Sequence, residues 1–325
     1  MRPEVIQGDV REVLKTLDDE SVQCVVTSPP YWGLRDYGVE DQLGLEATPE
    51  EFVENMVDVF REVKRVLRND GTLWLNLGDS YAGSNGSRGI TENTPSVKKG
   101  DKVLLKRIEG RNFTEHKDGG MPIISPDSIG LKHKDLIRIP WRVALALQAD
   151  GWYLRSDIIW NKPNPMPEPV KDRPTKSHEY IFLLTKSAKY YYDHEAIKEK
   201  GEYPAGTKAA KGSAKRYSTD LVNSRPPEYK IYDGTRNKRS VWKITTKPYK
   251  EAHFATFPEE LPETCIKAGT QKGDVVLDIF AGSGTTLRVA SKLGRKGIGI
   301  ELNPEYIKIL KKRCKIESVS LEAFV

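Results

Sequence analysis

From Val275 to Glu301 the chain reads as an apolar strand, a glycine-rich turn, a helix start and a second strand that ends in an acid. The first part is Val275-Val276-Leu277-Asp278-Ile279-Phe280-Ala281-Gly282-Ser283-Gly284-Thr285-Thr286. A strand this apolar belongs in a parallel sheet covered by helices on both faces. Gly282 and Gly284 let the backbone pass close under a ligand where a side chain would collide. Thr285 and Thr286 either cap the next helix or offer hydroxyls and amides to a carboxylate at its positive end. Gly297-Ile298-Gly299-Ile300-Glu301 then places an acid about 20 positions on, where α/β nucleotide-binding folds keep the carboxylate that accepts ribose hydroxyls. The turn lacks the third glycine of a pyrophosphate fingerprint, which argues against a dinucleotide. Taken alone, the unit leaves S-adenosylmethionine and other adenosine cofactors equally open.

The rest of the chain repeats this alternation of short strands and amphipathic helices. Strands are expected at Glu4–Gln7, Gln23–Thr27, Thr72–Leu77, Tyr153–Trp160, Tyr180–Thr185, Val275–Ile279 and Gly297–Glu301. Phe52, Met56, Val59, Phe60, Val63 and Leu67 recur near a 3.6 period, predicting a helix from Pro49 to Leu67 that stops at Asn69-Asp70-Gly71. Further helices are expected over Ile139–Ala149 and Thr285–Leu293, and from Pro304 with Asn303 as its cap. The fold class is α/β, with a doubly wound, mostly parallel seven-stranded sheet.

At 325 residues the chain is long enough for one catalytic domain with insertions. The apolar runs are far shorter than the roughly 20 residues of a membrane span, and no apolar signal region leads the chain, so a cytoplasmic protein is expected. The three cysteines, Cys24, Cys265 and Cys314, are far apart, and the five histidines show no metal-ligand spacing, so no metal is expected.

The segment that narrows the chemistry is Val25-Val26-Thr27-Ser28-Pro29-Pro30-Tyr31-Trp32, a strand running into a proline turn at the carboxyl edge of the sheet. Prolines have no N–H and little freedom to rearrange, so carbonyls at such a turn face outward as fixed acceptors. The exocyclic amino group of a base is a poor nucleophile, because its lone pair is delocalised into the ring. The Ser28 hydroxyl and the Pro29 carbonyl can hold its two N–H bonds and aim the lone pair at a methylsulfonium, with Pro30 fixing the turn. Tyr31 would stack on a base swung out of the duplex. The alternative is a rigid strand terminator with Tyr31 and Trp32 in the core. Methylation at cytosine C5 would need a cysteine nucleophile after proline, which Cys24, Cys265 and Cys314 do not offer.

With these segments in this order, the chain resembles the beta class of DNA amino-methyltransferases, in which the catalytic Pro-Pro-Tyr segment precedes the cofactor segment. The resemblance implies a Rossmann-like methyltransferase fold, circularly permuted and carrying inserted DNA-recognition segments. It implies S-adenosyl-L-methionine as cofactor, held by Asp278, Phe280, Ala281, Gly282, Gly284, Thr285, Thr286 and the ribose-binding Glu301. Asp9, in Gly8-Asp9, is similar to the residue that contacts the adenine, and Thr256-Phe257-Pro258 to a segment that packs on the methionine end. Ile158 to Pro163 and Lys176-Ser177-His178-Glu179-Tyr180 resemble blocks that shape the base pocket. In that class Ser commonly accompanies cytosine N4 and Asp or Asn adenine N6. Ser28 thus points to cytosine N4, with adenine N6 as the alternative.

Two segments fall outside the alternation. Tyr81 to His133 is rich in Gly, Ser, Asn and Lys and reads as a loop-like insertion, expected to be mobile without DNA and to close over it. Glu195 to Lys250 carries 14 Lys or Arg against 6 Asp or Glu, within a chain of net charge +6. It falls where the beta class inserts its target-recognition region. Lys208, Lys211, Lys215, Arg216, Arg236, Lys238 and Arg239 suit phosphates, and Arg225, Arg236 or Asn237 suit base edges. The division expected is therefore a catalytic half over 1–80, an insertion over 81–134, the catalytic half continued over 135–194, a recognition region over 195–250 and a cofactor-binding half over 251–325. Arg35-Asp36-Tyr37 follows the catalytic turn, as a loop over the extruded base or a structural salt bridge. The partner expected is double-stranded DNA, with a cognate restriction endonuclease acting separately and no membrane. The rivals are an N-methyltransferase of RNA or of a protein amide, and a DNA-binding protein that keeps the fold without the activity.

Overall fold

Val22–Thr27 (β2) is buried along its whole length, as a strand covered on both faces must be. It belongs to an eight-stranded sheet with Glu4–Gln7 (β1), Leu67–Leu77 (β3), Tyr153–Asn161 (β4), His178–Thr185 (β5), Val241–Lys243 (β6), Val275–Asp278 (β7) and Lys296–Glu301 (β8). The order across the sheet is β1-β8-β7-β2-β3-β5-β4-β6. The structure is a computed structural model that describes residues 3–34, 37–39, 41–82, 105–108, 111–114, 130–210, 229–246 and 257–316. Neighbouring strands are parallel except around β5, which runs antiparallel to both β3 and β4. Leu277 faces Val25 across the β7–β2 pair, so the glycine turn and the proline turn leave the sheet side by side.

The helices are Val10–Val13 (α1), Pro49–Val66 (α2), Ile139–Ala149 (α3), Glu260–Gly269 (α4), Thr285–Lys292 (α5) and Pro304–Cys314 (α6). Alternation along the strands assigns them to faces. Val25, Leu73, Leu75, Phe182 and Leu184 share one core cluster with the buried sides of α2 and α3. Gly269 of α4 sits against Cys24, Thr72 and Trp74, the alternate positions of the same strands. In α2, Phe52, Met56, Val59, Phe60, Val63 and Val66 are buried, each side chain contributing about 1.5–3 kcal/mol. Thr48 opens that helix by accepting from Glu51 N at 3.1 Å, with Pro49 in the first turn.

Three departures from the sequence reading have local causes. Helix α2 stops at Val66, and β3 starts at Leu67 rather than Thr72, because Leu67 pairs with Val22 ahead of a register shift in β2. Helix α4 was not anticipated; Pro262, Thr264 and Ile266 weaken its local signal, although proline is tolerated in a first turn. The eighth strand, β6, is three residues long and lies inside the basic segment, too short to show a period. Its Trp242 is buried 6.2 Å from the Trp74 ring, and Trp160 Nε1 donates to Ile244 O just beyond it.

Asp193–Arg239 forms a second compact unit. Within it Lys208–Ala210 pairs antiparallel with Tyr229–Ile231, and Glu199–Lys200 with Thr235–Arg236. In the segment expected to be loop-like, Leu105–Ile108 and Arg111–Thr114 make a short hairpin. The closing motion expected of 81–134 falls mostly on residues outside those described, as do Arg35 and Asp36. Among the described residues, no helix is long and apolar enough to cross a membrane.

Candidate active site

The two turns are tied together by one carboxylate. Asp278, at the end of β7, is buried and accepts from Thr27 Oγ1 at 2.8 Å, Thr286 Oγ1 at 2.7 Å and Phe280 N at 3.2 Å. Thr27 immediately precedes Ser28, so the bond to β2 fixes where the proline turn begins relative to the glycine turn. Burial pushes the Asp278 carboxyl up to about 6 against the pull of these three donors.

Below the turns lies a cleft of about 690 Å³ that is partly open to solvent, a size typical of small-molecule sites. Ser28 and Pro30 line it together with Asp9, Phe280, Gly282 and Glu301. Glu301, at the end of β8, accepts from Gly282 N at 2.7 Å through Oε2 and from Asn303 N at 2.8 Å through Oε1. Each oxygen keeps a further lone pair, so the carboxylate can still accept two hydroxyls side by side. Burial raises its carboxyl, with the Asn303 and Gly282 amides pulling the other way. Asp9 caps α1 through Arg11 N at 2.7 Å, and the Arg11 guanidinium holds its carboxyl below the usual range.

Of the other residues assigned to the cofactor, Ala281, Asp278, Thr285 and Thr286 are buried and do not line the cleft. Thr285 Oγ1 accepts from Arg313 at 2.9 Å, so neither threonine hydroxyl faces a ligand. The two glycines differ as well. Gly282 lines the cleft, whereas Gly284 has φ +78°, and a Cβ there would come 2.6 Å from Leu310 Cγ. Gly284 thus admits α6 rather than a ligand. Phe257 and the buried Pro258 lie at the start of α4, away from the cleft lining, and Thr256 lies outside the described residues.

Pro29 is buried, and Tyr31 stands behind Ser28 in a polar chain. Ser28 Oγ donates to Tyr31 Oη at 3.4 Å, and Tyr31 Oη donates to Glu179 Oε2 at 2.8 Å. Asn76 Nδ2 reaches the same oxygen at 3.2 Å, and Lys162 Nζ forms an ion pair with Glu179 Oε1. Burial first, and then the charge of Glu179, push the Tyr31 phenol well above its ordinary value, so it remains a donor. Cys24, on the same strand as Ser28, is fully buried and pushed up to about 12, which leaves it unsuited as a nucleophile.

Sequence reasoning did not single out Tyr37, Gln42, Leu302 and Tyr306, which also line the cleft. Tyr306 had a signal: it follows Glu301 by one turn of α6, as Asn303 caps that helix through Glu305 N at 2.8 Å. Of the residues assigned to phosphates, Lys211, Lys215 and Arg216 lie outside the described residues, and Lys208 is exposed. Arg236 is held by Glu199 and Glu202, each at 2.8 Å, and Arg239 meets Glu202 at 3.1 Å. Much of the charge of these two arginines is therefore balanced inside the second unit.

A doubly wound sheet with one reversed strand, carrying a cleft under two adjoining turns, is the Rossmann-like methyltransferase fold. The PvuII DNA methyltransferase (cytosine-N4-specific) shares it with a TM-score of 0.61 over 99% of this chain and 89% of that one; at 20% identity the likeness is one of fold. A DNA modification methylase from Thermus thermophilus, solved with S-adenosyl-L-methionine, matches with a TM-score of 0.56 and 25% identity, over 96% of this chain and 93% of that one. The type II methyltransferase M.Cfr9I of Citrobacter freundii is 47% identical over 98% of this chain and 89% of its own length. M.SmaI of Serratia marcescens, also a type II methyltransferase, is 47% identical over 95% of this chain and 89% of its own. A family model described as DNA methylase matches residues 22–312. The chain belongs to this N6/N4 family of DNA methylases.

Proposed function

We propose that this protein methylates the exocyclic N4 of cytosine in double-stranded DNA, with S-adenosylmethionine as its cofactor. The observation that carries the reading is that Ser28 shares one cleft with Glu301, Gly282 and Asp9. The residues present fit the cofactor. Glu301 has spare lone pairs for a ribose diol, Asp9 is an acceptor for an adenine amino group, and Gly282 adds no side chain to the wall between them. S-adenosylmethionine supplies a methyl group made electrophilic by its sulfonium.

The protein's part is to aim a weak nucleophile at that methyl group. Ser28 Oγ and the Pro29 carbonyl accept the two N–H bonds of the amino group. They draw the nitrogen toward tetrahedral geometry and direct its lone pair along the line of attack. Pro30 keeps this turn rigid, and the Tyr31 ring stacks on the base after it leaves the duplex. Lys208, Lys211, Lys215, Arg216 and Lys238 supply phosphate contacts. The 47% identity to two type II methyltransferases supports a cytoplasmic modification enzyme whose site a separate restriction endonuclease cuts.

Adenine N6 is the second reading, because the matched family spans both amino groups. Nucleoside mass spectrometry of DNA methylated by the purified protein tests the proposal. N4-methylcytosine is expected, and N6-methyladenine would replace the first reading by the second. Label in RNA or protein and not in DNA would overturn both.

A further inference from the structure

The polar chain behind the proline turn has a direction. Each hydroxyl in it donates away from the cleft: Ser28 Oγ to Tyr31 Oη at 3.4 Å, then Tyr31 Oη to Glu179 Oε2 at 2.8 Å. The first contact is long for an O–H···O bond, as such contacts commonly are before a substrate closes on them. The last member fixes the polarity. A carboxylate paired with an ammonium only accepts, and Glu179 is held in that state by Lys162, which itself lies 4.4 Å from the Trp160 ring centroid. Asn76 Nδ2 approaches the same Oε2 at 3.2 Å and donates to Tyr180 O at 3.0 Å, which orients its amide.

The topology explains how these residues meet. Ser28 follows the carboxyl end of β2, Asn76 is near the end of β3, and Lys162 follows the end of β4. Because β5 is reversed, its beginning, with Glu179 opposite Trp160, comes to the same edge.

We propose that Glu179 is a positioning residue for methyl transfer: acting through Tyr31, it turns the Ser28 O–H away from the cleft, so that the Ser28 oxygen can only accept. A serine hydroxyl otherwise donates or accepts according to how it rotates. A hydroxyl donating to the substrate nitrogen would engage the very lone pair that must attack. With its proton committed to Tyr31, Ser28 Oγ presents both lone pairs to the amino N–H. Each bond in such a chain polarises the next, which strengthens Ser28 as an acceptor. The inference rests on the reading of Ser28 as the amino-group acceptor given above.

The test uses the purified full-length protein, tritiated S-adenosylmethionine and unmethylated bacterial genomic DNA. Glu179→Gln keeps the shape and removes the charge; Tyr31→Phe keeps the ring and cuts the chain. Each is expected to lower kcat roughly ten- to a hundredfold while KM for the cofactor stays within about twofold. Glu179→Gln/Tyr31→Phe should be no slower than the slower single variant, because both substitutions break one chain. Tyr31→Phe leaves the Glu179–Lys162 pair in place and so reports on the chain even if Glu179→Gln folds poorly. Multiplicative losses in the double variant, or a rise in KM that accounts for the whole effect, would overturn the proposal. Full turnover in Glu179→Gln, with Ser28→Ala inactive, would overturn it and leave the parent reading intact. Full turnover in Ser28→Ala would remove both.

Discussion

Two turns leave neighbouring strands of one sheet and solve opposite problems. The turn after β7 is built of glycines: Gly282 N donates to Glu301, and Gly284 makes room for α6. The turn after β2 is built of prolines, which donate nothing and leave only acceptors facing outward. One turn shapes a wall and braces the carboxylate that binds; the other orients the group that reacts. Their separation is set by Asp278, which hydrogen-bonds Thr27 on one side and Thr286 on the other. Holding and reacting can therefore be perturbed separately, whereas the spacing between them cannot.

The sharpest break is Ser28→Ala. Methyl transfer should fall roughly 100- to 1,000-fold while cofactor affinity, measured by calorimetry, is kept, since the side chain is argued to act only on the attacking nitrogen. Equal losses in both quantities would dissolve the division between the turns.

Asp278→Asn probes the tie through pH. The Asp278 carboxyl rises from 3.8 to about 6 on folding, so between those values the folded protein binds more protons than the unfolded chain. Stability therefore falls as pH rises through this window and is level above it. Relative to Asp278→Asn, the unsubstituted protein should lose about 3 kcal/mol between pH 4 and 6, read by urea unfolding. Parallel curves for the two proteins would show that the carboxyl is not strained by burial.

Glu301→Gln acts on the holding side. It replaces one acceptor oxygen by a donor, so the Kd for S-adenosylmethionine should rise roughly ten- to a hundredfold, with kcat at saturation nearly unchanged. The smallest effect is expected from Gly284→Ala. Its Cβ would meet Leu310 Cγ at 2.6 Å in a left-handed conformation, costing about 1–2 kcal/mol in thermal unfolding without altering Kd for the cofactor. A change in Kd there would make Gly284 a ligand-facing residue after all.

How far this arrangement could be read from the sequence depends on which interactions are local. The seven anticipated strands are all present, because each is four or more residues of apolar or β-branched chain with its own period. The capping of α6 by Asn303 was equally visible, since capping is decided within a few residues. What escaped depends on partners far along the chain. Nothing in His178-Glu179-Tyr180 says that β5 is reversed, and only that reversal carries Glu179 to Tyr31, 148 residues away. Glycine and threonine at 282–286 looked alike as ligand residues. Their division between the cleft and the interior depends on Asp278, Arg313 and Leu310, which only the packed structure brings near. The basic stretch showed its charge but not its internal balance, since Arg236 meets Glu199 and Glu202 only after the chain turns back.

The edge of the sheet has a consequence for when the molecule becomes active. Strand β1 has a single neighbour, β8, and Gln7 pairs with Glu301, so one of the first segments synthesised has to wait for one of the last. Asp9 and Glu301 come to face a common space only when that late pairing closes. On a ribosome, the proline turn and its serine would emerge long before there is a place for a methyl donor, which keeps a half-made chain from marking DNA.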